Sequence, residues 1–342
     1  MFLIASRVVV IPAIVAVNVV VFVAMLASGV DALSPAVDQL LTWGGNFGPR
    51  TTTGEWWRLG SCTFVHAGIV HIGLNMYLLL AGGWLVERWL GRAAVVVIYV
   101  ASGLAGSIAS VIWYPAAVSV GASGAVFGIY GALFALVLRR RRNVDPATMK
   151  RLRLLAGLFL AFNLVIAFVL VDGVDMAAHL GGVVVGFGCG AAMAAERPRR
   201  RVVIGLAALV VAAFAVATVT VPQAMDARAE LQRFLDLQQR IDSDYEKVST
   251  GKLDPAQFAL ILEQDILPAS RAMRARFASA GRTSAINRRK LERVRRYLVV
   301  KEELLALVIE SVRTKDQSLE PKIRAKKRQT DQAMQRIVDL GE

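Results

Sequence analysis

The sequence predicts an all-α polytopic membrane protein followed by a soluble helical tail. Three observations lead there. Of the 342 residues, 56% are hydrophobic, against about 45–50% for an ordinary soluble domain. The apolar residues gather into seven stretches long enough to cross a bilayer, at about residues 6–28, 66–86, 93–114, 119–138, 152–171, 176–195 and 202–222. After Pro222 the chain turns charged and periodic, with 24 Lys plus Arg against 18 Asp plus Glu over 223–342.

Taken in order, the first stretch follows Arg7 as a signal peptide would, yet it is long and lacks a small-x-small cleavage site, so it reads as an uncleaved first span. The loop of residues 29–65 is rich in Gly, Thr and Trp; Trp43, Trp56 and Trp57 point either to an element lying in the membrane interface or to a simple aromatic anchor. Basic blocks set the orientation. Arg139–Arg142 with Lys150, Arg151 and Arg153 separate the fourth and fifth stretches, and Arg197 with Arg199–Arg201 separate the sixth and seventh. The positive-inside rule makes both loops cytoplasmic, and Arg7, Arg88 and Arg92 agree. The amino terminus is then cytoplasmic, and the starts of the fourth and sixth stretches face outside. These blocks account for much of the formal charge of +14, so a nucleic-acid partner is not required. Cys62 and Cys189 fall in different segments, which argues against a structural disulfide or a metal pair.

In the tail, Asp254-Pro255 is a helix start with an acidic N-cap and proline in the first position. Pro268 is expected to kink or end that helix. Leu291, Val294, Leu298, Leu305 and Val308 recur at helical spacings, predicting two to four amphipathic helices in a hairpin or short coiled coil. The tail is either a solvated spacer or a docking element for substrate or a protein partner.

The chemistry centres on Gly121-Ala122-Ser123-Gly124, where an apolar helix begins. A serine among small residues at a helix start has its hydroxyl uncovered and the unpaired N–H groups of the first turn beside it. Gly124, Gly128 and Gly131 strip side chains from one helix face, and Gly182 and Gly186 do the same after His179, so the two backbones can approach closely. That approach would bring the His179 imidazole to the Ser123 hydroxyl as a general base. His71 and Asn75, four residues apart on one face, can both donate hydrogen bonds and with the Ser123 N–H could hold a developing oxyanion; an interhelical polar clamp is the plainer account of that pair.

In this order the motifs resemble the rhomboid intramembrane serine proteases. They are Trp57-Arg58, His66 through His71 to Asn75, Gly121-Ala122-Ser123-Gly124, and Ala178-His179 with Gly182 and Gly186. The resemblance covers roughly residues 1–222. It implies a six-helix catalytic core over 1–200, here followed by a seventh span over 201–222 and an extracytoplasmic helical region over 223–342. It further implies a Ser123–His179 dyad, an oxyanion site of His71, Asn75 and the Ser123 N–H, a structural role for Trp57 and Arg58, a packing role for His66, and no cofactor or metal. The implied substrates are single-pass membrane proteins cut in or near their transmembrane helix, in a bacterial plasma membrane.

Two departures from the family pattern matter. Phe127 stands where many members carry a tyrosine stacked on the catalytic histidine, so the stacking ring remains without its hydroxyl. Asp175, four residues before His179, could orient the imidazole as a third member or could be an ordinary loop acid. Three rival readings stay open: a catalytically silent rhomboid-like binder of membrane clients, a metal site of His66, His71 and His179, and a transporter. The silent binder would be expected to lack the serine or the histidine, and the five-residue spacing of His66 and His71 is poor for shared ligation.

Overall fold

The structure is a computed structural model and describes residues 7–138, 145–169, 174–194, 199–278 and 285–338. Two compact units divide the chain, residues 1–223 and 224–342. Arg139–Arg142 and Arg197, used above for orientation, lie outside the described residues.

In the first unit, helix α1 (Val10–Ala27) leads into a loop region holding α2 (Val37–Thr42), strand β1 (Asn46–Phe47), α3 (Gly48–Thr51) and α4 (Arg58–Ser61). Then come α5 (Ile69–Leu90), α6 (Arg92–Trp113), strand β2 (Val118–Ser119), α7 (Ser123–Leu138), α8 (Pro146–Val169), α9 (Met176–Met193) and α10 (Arg199–Thr220). Seven helices thus stand at the seven apolar stretches. Among the described residues, five of them, α1, α5, α6, α9 and α10, are long and apolar enough to span a bilayer by themselves. Helix α7 is shorter at 16 residues, a rise of about 24 Å.

Small residues decide the packing. A Cβ added to Gly182 would lie 2.0 Å from the Gly124 carbonyl oxygen, and one added to Gly186 would lie 2.0 Å from that of Gly128. Helices α7 and α9 therefore touch backbone to backbone, as the glycine spacing predicts. The seam also has a third wall. Helix α6 brings Gly106 against the Ala178 carbonyl and Ser102 against Gly128, so the most buried part of the unit is a three-helix seam.

The loop between α1 and α5 is ordered by polar contacts. Strand β1 pairs antiparallel with β2, Asn46 opposite Ser119 and Phe47 opposite Val118. The Asn46 amide donates to the Ser107 carbonyl at 3.0 Å and its oxygen accepts from Thr51 at 2.8 Å. Buried Arg58 donates to the carbonyls of Leu41 (2.7 Å) and Gly45 (3.0 Å) while its guanidinium lies 4.6 Å from the centre of the Trp57 ring. At the other end of the helices, buried Glu87 accepts the backbone N–H groups of Val9, Val10 and Ile11 at 2.8, 3.0 and 2.9 Å. A carboxylate there satisfies donors that the first turn of α1 would otherwise leave unpaired.

The second unit contains α11 (Ala227–Ser249), α12 (Pro255–Ile261), α13 (Leu267–Ala278), α14 (Ala285–Thr314) and α15 (Glu320–Val338). These form more than a hairpin. Phe234, Phe277, Val294 and Leu298 make one core and Ile241, Leu262, Ile266 and Leu305 another. Asp254 caps α12 through the N–H groups of Ala256 and Gln257. The expected break at Pro268 does not end the helix: Leu262–Ile266 widen into one π-type turn before it, and the chain runs on as α13. A wider turn removes the clash and the missing hydrogen bond that a proline imposes on a regular α-helix.

Candidate active site

The turn into α7 is built around His66. The Ala122 N–H donates to its Nε2 at 3.4 Å, so its other nitrogen is the donor, Nδ1–H to the Phe64 carbonyl at 3.3 Å. The Gly121 N–H donates to the Cys62 carbonyl at 2.9 Å. Gly121 itself has φ +110°, and a Cβ there would strike the His71 ring at 2.6 Å; both the backbone conformation and the neighbour call for glycine. His66, read from sequence as a packing residue, thus holds the backbone immediately before the serine.

Ser123 is the first residue of α7, and His179 sits in the first turn of α9. The glycine crossing below them brings His179 Nε2 to 2.9 Å from Ser123 Oγ. The Phe127 ring, one turn on from Ser123, stacks on the imidazole at 4.3 Å between centroids and 23° between planes. His179 is buried. The His179 imidazole therefore meets the Ser123 hydroxyl at its edge and the Phe127 ring on its face.

His71 and Asn75 stand on α5 beside this turn. His71 Nδ1 accepts the Ala67 N–H at 3.3 Å, which leaves Nε2 as the protonated nitrogen, on the side of the ring that faces Gly121. Buried Asn75 gives one amide hydrogen to the His71 carbonyl at 2.9 Å, and its second has no partner among the described residues. The backbone N–H of Ser123 belongs to the unpaired donors of a helix first turn. Trp57 and Arg58 are away from this cluster, in the loop lattice described above.

Asp175 does not form a third member. It is the N-cap of α9 and accepts the Ala178 N–H at 3.0 Å through Oδ1; its Oδ2 and His179 Nδ1 are both buried without a hydrogen-bond partner. Capping a helix start uses the short side chain on its own backbone, and the carboxylate makes no hydrogen bond to the imidazole. Near by, the buried Cys62 thiol lies 3.2 Å from the Ser107 hydroxyl. Burial foremost, with the Asp175 charge, pushes it up to about 12, so it is a poor nucleophile.

Residues 53–196 match the model of the rhomboid domain. Over those residues the chain carries a rhomboid domain. It is 34% identical over 160 residues to Rhomboid protease GluP of Bacillus subtilis, covering 47% of this chain and 30% of that one. It is 36% identical over 156 residues to RHOMBOID-like protein 4 of Arabidopsis thaliana, covering 45% and 39%. To RHOMBOID-like protein 6, mitochondrial, of the same plant it is 39% identical over 134 residues, covering 39% and 42%. The chain thus spans less than half the length of these relatives. With this domain and its apolar helices, the chain is an integral multi-pass membrane protein.

Proposed function

We propose that this protein is an intramembrane serine endopeptidase that hydrolyses peptide bonds in or near the transmembrane helix of single-pass membrane proteins. The observation that carries the reading is the 2.9 Å contact between Ser123 Oγ and His179 Nε2 at the start of a short helix.

In this mechanism His179, neutral with its proton on Nδ1, takes the Ser123 proton at Nε2 as Oγ attacks the carbonyl carbon. The negative oxygen is held by the Ser123 N–H, His71 Nε2–H and the second Asn75 amide hydrogen. His179 then protonates the leaving amine, and water releases the acyl group by the same route in reverse. A substrate helix has all its backbone groups bonded internally and must open before a carbonyl can be attacked, so cleavage falls where the helix unwinds. Phe127 keeps the imidazole plane in register, Gly121 and Gly124 with Gly182 and Gly186 permit the contact, and Trp57 and Arg58 fix the first loop.

The catalytic core would be residues 1–200, with 201–222 a seventh span and 223–342 an extracytoplasmic helical region. Arg88, Arg92, Lys150, Arg151 and Arg153 lie at the helix ends away from Ser123, so that end faces the cytoplasm by the positive-inside rule. A bacterial plasma membrane is the setting this reading fits.

The test is cleavage of a reporter transmembrane segment in liposomes, with fluorophosphonate labelling alongside. Ser123→Ala and His179→Ala each abolish both while keeping the wild-type thermal unfolding profile. Cleavage by purified Ser123→Ala protein overturns the assignment; wild-type protein that neither cleaves nor labels points to a silent client binder.

A further inference from the structure

Away from Ser123, helices α7 and α8 border a cavity of about 590 Å³, lined by Tyr130, Leu133 and Val137 of α7 and by Leu152, Leu155 and Ala156 of α8. The Tyr130 hydroxyl is already given to the Leu78 carbonyl of α5 at 3.1 Å, so it offers the cavity its ring. Such a lining gives water no partners, whereas hydrocarbon fills it without loss. Leu155 is 52% exposed, so the space opens sideways, toward lipid in a helix pair that crosses the bilayer.

One lip is cationic. Lys150 and Arg151 are exposed on the first turns of α8, next to the lining residue Leu152. Arg153 is pinned there, donating from Nε to the Val137 carbonyl at 2.6 Å and from Nη2 to that of Leu138 at 3.2 Å. Two of its five N–H groups are used in this way, and the other three have no partner among the described residues. Basic residues flanking a slot between membrane helices are the chemistry that holds acidic lipid headgroups.

We propose that this cavity binds one acyl chain of an anionic phospholipid, with the phosphate at Lys150, Arg151 and Arg153. A polypeptide helix fits poorly: at about 10 Å across, little more than one turn of it would fill the volume. The lipid joins α8 to α7 along a line where protein side chains leave a gap.

The test uses the full chain with p-benzoylphenylalanine in place of Leu155, in nanodiscs of equal phosphatidylglycerol and phosphatidylcholine, with adducts read by mass spectrometry. Phosphatidylglycerol adducts are expected to exceed phosphatidylcholine adducts by about tenfold. The exposed pair Lys150→Gln/Arg151→Gln, which leaves the Arg153 contacts intact, brings the ratio toward one, and Ala156→Phe reduces adducts of both lipids. Soluble glycerol 3-phosphate does not compete, because it lacks the chain. Equal capture of the two lipids by the wild-type lip, a ratio unmoved by the double substitution, displacement by glycerol 3-phosphate, or adducts with a reporter helix or a second copy of the chain would each overturn the proposal.

Discussion

Gly186→Ala is the sharpest probe of how the site is held. The new methyl carbon would lie 2.0 Å from the Gly128 carbonyl oxygen and 2.4 Å from its Cα. These are backbone atoms that cannot swing aside, so α7 and α9 must part by about 1 Å or more to reach a tolerable contact. Ser123 and His179 sit on the same two helices at 2.9 Å, near the middle of hydrogen-bonding range, and the same movement takes them out of it. A misplacement of that size costs about 100-fold in rate, with about 1–3 kcal/mol lost to overpacking. Gly188→Ala is the control. It lies two residues along the same helix with nothing within 4 Å of an added Cβ, so it keeps wild-type activity and gains about 0.5–1 kcal/mol from helix propensity. The assay is reporter cleavage in liposomes together with thermal unfolding. Wild-type rates for Gly186→Ala, or an equal fall for Gly188→Ala, would refute the backbone-contact account.

Three further outcomes follow from the packing. Glu87→Ala takes the acceptor from the N–H groups of Val9, Val10 and Ile11 at the start of α1, of which that of Ile11 is buried, and is expected to cost about 1–3 kcal/mol, with Glu87→Gln milder; thermal unfolding in detergent measures both. In the tail, Lys301 sits in the apolar spacing of α14, and burial lowers its pKa despite Asp242 and Asp331. The unfolded chain then binds its proton more firmly, so tail stability rises with pH between the lowered folded value and the ordinary lysine value. Lys301→Met removes this rise and stabilises the tail by about 1 kcal/mol, read by hydrogen exchange on α14. A chain ended at residue 223, the edge of the first compact unit, folds and cleaves the reporter; loss of both would tie the tail to the catalytic unit.

What was legible in the sequence was short-range. Gly124 and Gly128, set against Gly182 and Gly186, announced a backbone crossing because glycine spacing on a helix maps directly onto one face. What stayed hidden depended on partners far along the chain. Glu87 looks like an ordinary acid at the end of a span until α1 is laid beside it. The β1–β2 pairing involves only two residues on each side, too few to leave a periodic trace. Ser102 and Gly106 did carry the small-residue spacing that makes α6 the third wall, a signal open to the same reasoning. His66 was undervalued because its role is to hold a backbone N–H, which no side-chain pattern records. Asp175 stayed open between a partner of His179 and an ordinary loop acid because spacing alone cannot tell a helix cap from an orienting acid.

The Glu87 cap sets an order of events for a chain made from its amino end. The first helix enters the bilayer before the carboxylate that closes its open end, 76 to 78 residues later, has left the ribosome. Until α5 arrives, that end must borrow acceptors from water or headgroups at the surface, so α1 is held shallow and provisional, and its final depth is fixed only when its cap is delivered.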